Sequence, residues 1–249
     1  MSTAGTIRIV VLLTAVAGLE AACRSGLIAP FSIVPPSAML VSAFRILASG
    51  EYTADILATL GTVALAAVLS IAVGFAFGVI LYLFPRLKRA ADPFLASYYA
   101  VPSFIFYPLF IVMFGLNRWP LVAVAFIFSC VAMTIATIDG FLNVRPILRK
   151  VAQSMHLSRS QMIRLILLPA ALPYLFTGIK LAIAYAFIGV IAGEFIQAGS
   201  GLGYRIAFAY ESFQTGTMYG LLLILLTCVV SVNTVLGVRE RRLYERLNR

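Results

Sequence analysis

Residues 56–84 read ILATLGTVALAAVLSIAVGFAFGVILYLF, and none of these side chains carries a charge. About 20 apolar residues suffice for a helix to cross a bilayer, so this longer run predicts a spanning helix that is tilted or extends beyond the membrane. Of the 249 residues in the chain, 62% are hydrophobic and 11% are charged, with a mean hydropathy of +1.02. A water-soluble fold of this size cannot hide so much apolar surface, which excludes a soluble enzyme and a disordered chain.

Similar apolar runs flank this stretch on both sides. The six runs that predict spans are 7–23, 56–84, 94–115, 119–138, 170–194 and 217–237. We interpret the first run as a retained span rather than a cleaved signal peptide. Pro35, Pro36 and Ser37 predict the start of a further helix, which we expect to lie in the membrane interface. The predicted fold is therefore all-α, with six transmembrane helices.

The positive charges indicate the orientation of these spans. Of the 19 lysines and arginines, fourteen lie before the first span, between spans two and three, between spans four and five, or after the last span. The positive-inside rule therefore predicts that both termini are cytoplasmic. Four acidic residues share that side, so its net charge equals the whole surplus of +10. The basic composition is thus a topology signal and no indication of a nucleic-acid partner.

The segment between spans four and five, 139–169, is unusually long. Its apolar residues recur at helical spacing among Arg, Gln and Ser, which predicts an amphipathic helical hairpin that ends at Leu168 and Pro169. Either this hairpin docks a partner on the cytoplasmic side, or it lies on the membrane surface. The predicted organisation is a first span with an external interfacial helix (1–55), a core containing the hairpin (56–240) and a basic cytoplasmic tail (241–249).

Several motifs at matching separations resemble one family. They are Ala152 with Ser158-Arg159; Leu168-Pro169-Ala170-Ala171-Leu172-Pro173; Ala100-Val101-Pro102 with Pro108-Leu109 and Phe114-Gly115; and Gly193-Glu194-Phe195 with Gly199-Ser200-Gly201-Leu202-Gly203-Tyr204. Over residues 30–240 the chain resembles the permeases of ABC importers, in particular the nitrate, sulfonate and taurine branch. The resemblance implies the type I importer permease fold in a bacterial cytoplasmic (inner) membrane.

In that family the segment resembling 139–169 contains the coupling helices, which sit in a cleft of the ATP-hydrolysing subunit. The residues that this resemblance assigns to the contact are Arg149, Lys150, Ala152, Ser154, His156, Ser158 and Arg159. The implied partners are two ATPase subunits, an external (periplasmic or extracellular) substrate-binding protein, and a second permease copy in a homodimer or heterodimer. ATP and Mg would be bound by the ATPase, and no cofactor by this chain.

Two residues depart from the family pattern. Counting back from Leu168-Pro169, the family's glutamate falls on Lys150 and its loop glycine on His156. The first change reverses the charge that this side chain would bring to an ion pair. The second replaces the residue that adopts a positive φ most easily. Either the partner has compensated, or a second permease carries the standard loop.

Two ionisable residues, Lys180 and Glu194, interrupt the fifth span. They lie 14 positions apart, about 40° short of four helical turns, and so share a face. Charges within a span usually face protein or a water-filled path, which makes both residues candidates for the translocation route. The alternatives are that Lys180 reaches the cytoplasmic headgroups and that Glu194 sits at the outer interface.

The third predicted span contains two prolines, Pro102 and Pro108, which interrupt helical hydrogen bonding and predict a kink or gate. Phe106 and Tyr107 lie between them, and either face lipid or line a gate for a planar substrate. Small-residue pairs, Gly74 with Gly78 and Gly189 with Gly193, predict close helix packing.

The chain lacks the residues for hydrolysing ATP, because no G-x-x-x-x-G-K-[ST] motif occurs in it. The glycines of 199–203 are better explained by a tight external turn than by a phosphate site. The one histidine and the three cysteines have no metal-site spacing, so we expect no metal. A permease subunit driven by a separate ATPase is the predicted function, for a small solute such as nitrate, sulfonate, taurine or an aromatic or heterocyclic compound. A gradient-driven carrier or channel and a membrane scaffold are the alternatives.

Overall fold

The computed structural model describes residues 3–29, 32–197 and 199–247, and within these ranges the chain is helical with no β-strand. The α-helices in this part of the chain are α1 (Thr3–Arg24), α2 (Pro36–Ser49), α3 (Thr53–Leu83), α4 (Pro85–Ser97), α5 (Tyr107–Phe114), α6 (Trp119–Leu142), α7 (Pro146–Ser154), α8 (Arg159–Met162), α9 (Leu168–Gln197), α10 (Leu202–Glu211) and α11 (Thr215–Leu247).

The chain divides into two compact units. The first unit comprises Met1–Ala58 and Glu194–Cys228, and the second comprises Thr59–Gly193 and Val229–Arg249. The boundaries fall inside the long helices α3, α9 and α11, so each of these helices contributes to both units.

Four helical stretches in the described residues are long and apolar enough to cross a membrane. They are Thr53–Leu83, Trp119–Leu142, Arg159–Ile196 and Thr215–Arg242. They contain four of the predicted runs almost completely, and α1 covers the run at 7–23. The all-α, multi-pass architecture predicted from the apolar runs is therefore confirmed.

The predicted third span, 94–115, is not one continuous helix. Between α4 and α5 the chain forms two short 3₁₀ turns, Tyr98–Ala100 and Ser103–Phe106, separated by extended backbone at Val101 and Pro102. A proline lacks an N–H group and pushes the residue before it out of the helical region, which explains the break at this point. Pro108 lies in the first turn of α5, where its missing N–H is tolerated.

The hairpin also differs from its predicted bounds. Its second arm does not end at Leu168 and Pro169 but continues through a π-helical turn, Ile163–Leu167, into α9. Such a turn bonds each N–H to the carbonyl five residues back. The wider turn ends at Leu167, and Pro169, which cannot donate a hydrogen bond, is the second residue of α9, so the helix passes the proline without ending.

The core of the second unit is formed by α3, α6 and α9, which approach closely at glycines. A Cβ atom on Gly74 would lie 2.6 Å from the backbone oxygen of Cys130, and one on Gly189 would lie 2.7 Å from the Cα of Ala125. Neither distance leaves room for a methyl group. The small-residue pairs therefore pack helices within the chain, as their spacing predicts.

In the first unit, α2 begins at the prolines that predict its start. Pro36 occupies the first turn, and the carboxylate of Glu20 from α1 accepts hydrogen bonds from the backbone N–H of Ser37 (3.0 Å) and from its hydroxyl (2.7 Å). A carboxylate satisfies donors that the start of a helix leaves without partners. Glu20 thus fixes the beginning of α2.

The end of α10, also in the first unit, has an unusual backbone. Phe213 has φ = +57°, and the bonds Phe213 N–H to Tyr210 O (3.1 Å) and Gln214 N–H to Ala209 O (2.8 Å) form a Schellman motif. Glycine usually fills the left-handed position of this motif. Here a phenylalanine fills it, with 87% of the residue exposed.

Candidate functional site

The short helix α7 presents two different faces. Its inner face carries Leu148, which packs against the core of the second unit, and Ala152, which is buried. The outer face carries Ile147, Val151 and Met155, which are 60%, 43% and 64% exposed. These three residues are spaced four apart, so they form an apolar stripe along the solvent side of the helix.

Two polar residues, Lys150 and Ser154, lie on the same side of α7 and are exposed. At 100° per residue, these two and the apolar stripe fall within about 140° of the helix circumference. We call this surface the outer face of α7; it consists of Ile147, Lys150, Val151, Ser154 and Met155. A cation among exposed apolar side chains is a composition found where a surface contacts another protein or a membrane.

Arg149 points in the opposite direction. Its Nη2 donates hydrogen bonds to the carbonyls of Phe141 and Leu142, and its guanidinium lies 6.0 Å from the ring of Tyr82. The two carbonyls belong to the last turn of α6, which has no intrahelical donors for them. A cation is also favoured at this negative end of the helix. Arg149 therefore fastens α7 to α6.

The helix α7 ends in a tight turn at His156. The bonds His156 N–H to Gln153 O (3.0 Å) and Leu157 N–H to Ala152 O (3.1 Å) form a second Schellman motif. His156 has φ = +50°, so it adopts the left-handed conformation that the family's glycine would adopt more easily. Histidine is among the residue types that tolerate this region best after glycine.

The N-cap of the next helix, Ser158, follows two residues later. The Ser158 hydroxyl accepts from the backbone N–H of Gln161 (3.3 Å), and the Gln161 side chain accepts from the backbone N–H of Ser158 (2.9 Å). This reciprocal pair is a capping box, which stabilises the start of α8. A helix stop and a helix start adjacent in sequence make the hairpin a compact, defined turn.

The structure thus separates the seven residues assigned to the coupling contact into two groups. Lys150, Ser154, His156, Ser158 and Arg159 are exposed, whereas Ala152 is buried and Arg149 is turned inward. The first group is available to a partner. The second group holds the hairpin in place, a role that spacing alone does not reveal.

The candidates for the translocation route lie in different environments. Tyr107 is buried beside Gly193, whereas Phe106 is exposed, and Pro102 occupies the break between the two 3₁₀ turns. In the second unit, the Lys180 ammonium lies 2.7 Å from Oε2 of Glu240. That ion pair joins α9 to α11, so Lys180 has a specific protein partner.

Glu194 lies in a buried cluster of the first unit that we call the Gly201 clamp. The residue is 1% exposed, and its Oε2 accepts from the backbone N–H of Gly203 (2.9 Å) at the start of α10. The buried Asp55 accepts from the N–H of Gly201 (2.8 Å) and from Nε of Arg205 (2.8 Å). These five residues (Asp55, Glu194, Gly201, Gly203 and Arg205) define the clamp.

The clamp explains the glycine-rich turn. Gly201 has φ = +103°, and a Cβ atom there would overlap the Glu194 carboxylate. Two carboxylates at the positive end of α10 are favoured by its dipole. The hydrogen bond to Asp55 also raises the pKa of Arg205. The prediction of a tight turn at 199–203 agrees with this geometry.

No three His, Cys, Asp or Glu side chains among residues 3–29, 32–197 and 199–247 come together as a metal-binding group.

Comparison with known proteins identifies the family. Residues 66–249 match the binding-protein-dependent transport system inner membrane component family. The chain is 26% identical to the taurine transport system permease protein of Escherichia coli over 224 residues, covering 87% of this chain and 81% of the relative. It is 29% identical to the formylaminopyrimidine transport permease protein of Halalkalibacterium halodurans over 147 residues, which is 59% of each chain.

Solved structures agree on the fold. A chain of the MetNI methionine ABC transporter in inward-facing conformations superimposes with a TM-score of 0.69 at 17% identity, covering 77% of this chain and 95% of that chain. The family match extends over more than half of the sequence and includes α7 and the Gly201 clamp except for Asp55. The chain therefore belongs to the binding-protein-dependent transport system inner membrane components, and it is the multi-pass permease subunit, not the ATP-hydrolysing subunit, of an ABC importer.

Proposed function

We propose that this chain and a second permease copy, identical or related, enclose the translocation route of a bacterial inner-membrane importer. Two ATPase subunits dock on the outer face of α7, one on each permease, and an external binding protein delivers the solute. ATP and Mg are bound by the ATPase subunits. The route is lined in part by the segment around Pro102 and Phe106 and by α9, with the buried Tyr107 packed behind it against Gly193.

The observation that carries this proposal is the way α7 is mounted. A helix that transmits movement must be exposed on one side and held firmly on the other. The outer face of α7 is exposed and apolar, whereas Arg149 and Ala152 fix its inner side to the second unit. The hairpin then continues without a break into α9. A pull on α7 is therefore transmitted to α6 through Arg149 and to α9 through the hairpin.

The solute that we propose is small and is selected mainly by the binding protein. The relatives support two chemical classes: the Escherichia coli permease serves taurine, and the Halalkalibacterium halodurans permease serves a formylaminopyrimidine. A nitrate-, sulfonate- or taurine-like anion and an aromatic or heterocyclic compound are the two classes to test first.

The docking function is tested by placing a charge in the apolar stripe. We expect Val151→Asp to lower the amount of ATPase that co-purifies with the tagged permease at least tenfold. Docking would bury the new carboxylate between Ile147 and Met155, which is strongly disfavoured. ATPase retention is measured by quantitative mass spectrometry, and solute uptake by reconstitution into liposomes.

The matched control is Gln153→Asp, at a position of α7 that is also exposed but lies outside the outer face. It introduces the same charge and should retain the ATPase. If Val151→Asp also retains the ATPase and supports uptake, the outer face of α7 is not the docking surface. Uptake that continues in preparations without any ATPase would contradict the proposal as a whole.

A further inference from the structure

The second unit carries an uncompensated group of cations around α7. Between Asp139 and Glu194 the sequence contains no Asp or Glu, but it contains six lysines and arginines. Two of these have partners in the chain, since Arg149 binds carbonyls of α6 and Lys180 pairs with Glu240. The other four, Arg145, Lys150, Arg159 and Arg164, are exposed.

Lys150 differs from the other three because it lies within the outer face of α7. Among the ion pairs of the described residues, none involves Lys150. Of the acidic side chains described on the cytoplasmic side, Asp92 is paired with Lys88 at 2.8 Å and Glu240 with Lys180, and Asp139 is exposed and joins none of the ion pairs. The Lys150 ammonium is therefore exposed beside an exposed apolar stripe.

Docking would change the surroundings of this ammonium. Covering Ile147, Val151 and Met155 would also remove water from Lys150, because all four residues lie within one sector of the helix. An ammonium that loses its water without gaining an acceptor is strongly disfavoured, whereas a close carboxylate compensates for the loss. A cation in the same place on the partner would repel Lys150 and prevent docking.

We propose that the ATPase docked on α7 presents a carboxylate to Lys150, at the edge of the cleft that receives Val151 and Met155. This inference rests on the proposed docking function and specifies the chemistry of the partner. The same pair would make assembly selective, since an ATPase with a cation at that point would be rejected. Arg145, Arg159 and Arg164 extend the positive surface around the contact.

The test uses the complete complex, purified through a tag on the permease and placed in nanodiscs of neutral lipid. A carbodiimide couples a lysine amine directly to a carboxylate that touches it. We expect it to join Lys150 to an Asp or Glu of the ATPase, and mass spectrometry of the cross-linked peptide identifies that residue. Lys150→Arg should keep the ATPase bound but lose the cross-link, because a guanidinium does not couple.

Charge reversal gives the quantitative measure. Lys150→Glu should lower the amount of bound ATPase at least tenfold, and replacing the cross-linked carboxylate of the ATPase by lysine should restore it. Lys150→Gln should have a smaller effect, because it removes the pair without creating repulsion. Retention of the ATPase by Lys150→Glu at the wild-type level would overturn the proposal.

Two further comparisons separate the sources of failure. If Val151→Asp releases the ATPase and Lys150→Glu does not, α7 is the docking helix and only the carboxylate is refuted. If neither variant releases it, both proposals fail. If Lys150→Glu is defective only in nanodiscs that contain anionic lipid, Lys150 binds the membrane surface and the proposal of an acidic cleft is wrong.

Discussion

The charged side chains of the Gly201 clamp and those of the outer face of α7 have opposite surroundings. In the clamp, Asp55 and Glu194 are buried and accept hydrogen bonds from backbone N–H groups at the start of α10. On α7, Lys150 is exposed and makes no ion pair among the described residues. A charge that the chain itself compensates stabilises the local fold. A charge that the chain leaves uncompensated is available to a partner.

The two regions also share a feature, since α7 and α10 both end in a Schellman motif without glycine. His156 and Phe213 have φ of +50° and +57°. Left-handed backbone costs an L-residue roughly 1–2 kcal/mol, and Phe213 is too exposed for packing in the chain to offset this cost. The way a helix ends therefore does not distinguish the two regions; the surroundings of their charges do.

The largest effect is expected in the clamp. Gly201→Ala should destabilise the protein by about 2–6 kcal/mol, because it combines backbone strain with the loss of a buried charge-assisted hydrogen bond. Thermal unfolding in detergent, followed by circular dichroism, would measure the change. The matched control is Gly199→Ala, where an added methyl group meets nothing within 4 Å. Equal melting temperatures for the two variants would show that the clamp is not tightly packed.

An intermediate effect is expected from Glu194→Gln. The amide keeps the shape of the side chain but loses the charge that strengthens the bond to Gly203, so we expect a loss of about 1–2 kcal/mol. Uptake should fall only in proportion to the folded protein that remains. Glu211→Gln, at an exposed position of α10, should change neither property. A loss of uptake at an unchanged melting temperature would instead assign Glu194 to the translocation route.

The smallest effects are expected at the two helix ends. His156→Gly and Phe213→Gly should each stabilise the protein by roughly 0.5–1 kcal/mol, since relief of strain exceeds the additional entropy of the unfolded chain. Gln153→Gly, in the regular part of α7, should destabilise it by about 1 kcal/mol. The same melting experiment measures all three variants. Destabilisation by either helix-end glycine would show that its native side chain makes compensating contacts.

Local patterns in the sequence predict much of the fold. Apolar runs of sufficient length predict α3, α6, α9 and α11, because a spanning helix must satisfy its backbone internally and expose apolar side chains to lipid. The prolines at 35 and 36 predict the start of α2, and Pro102 predicts the break in the third run. Each of these signals depends only on neighbouring residues.

Contacts between residues that are far apart in the sequence cannot be predicted from local patterns. Arg205 pairs with Asp55, which is 150 positions earlier in the chain, and no spacing indicates that contact. Arg149 resembles its exposed neighbours in sequence, yet it turns towards the carbonyls of α6. One signal does exist for Glu194. A carboxylate in an apolar run that is followed within ten residues by a glycine-rich turn and a new helix can accept from the N–H groups that the start of that helix leaves without partners.

The π turn at Ile163–Leu167 sets the angular orientation of α8 relative to α9. Each bond of this turn closes over one more residue than an α-helical bond does, so the chain contains one residue in excess of a regular helix between α8 and α9. One residue corresponds to about 100° of rotation. If the regular α-helical periodicity of α9 were continued back to α8, it would give the side chains of 159–162 different directions. The observed directions differ from these by roughly a quarter of the helix circumference. The helix α8, the π turn and α9 therefore form one continuous helical rod with two angular registers.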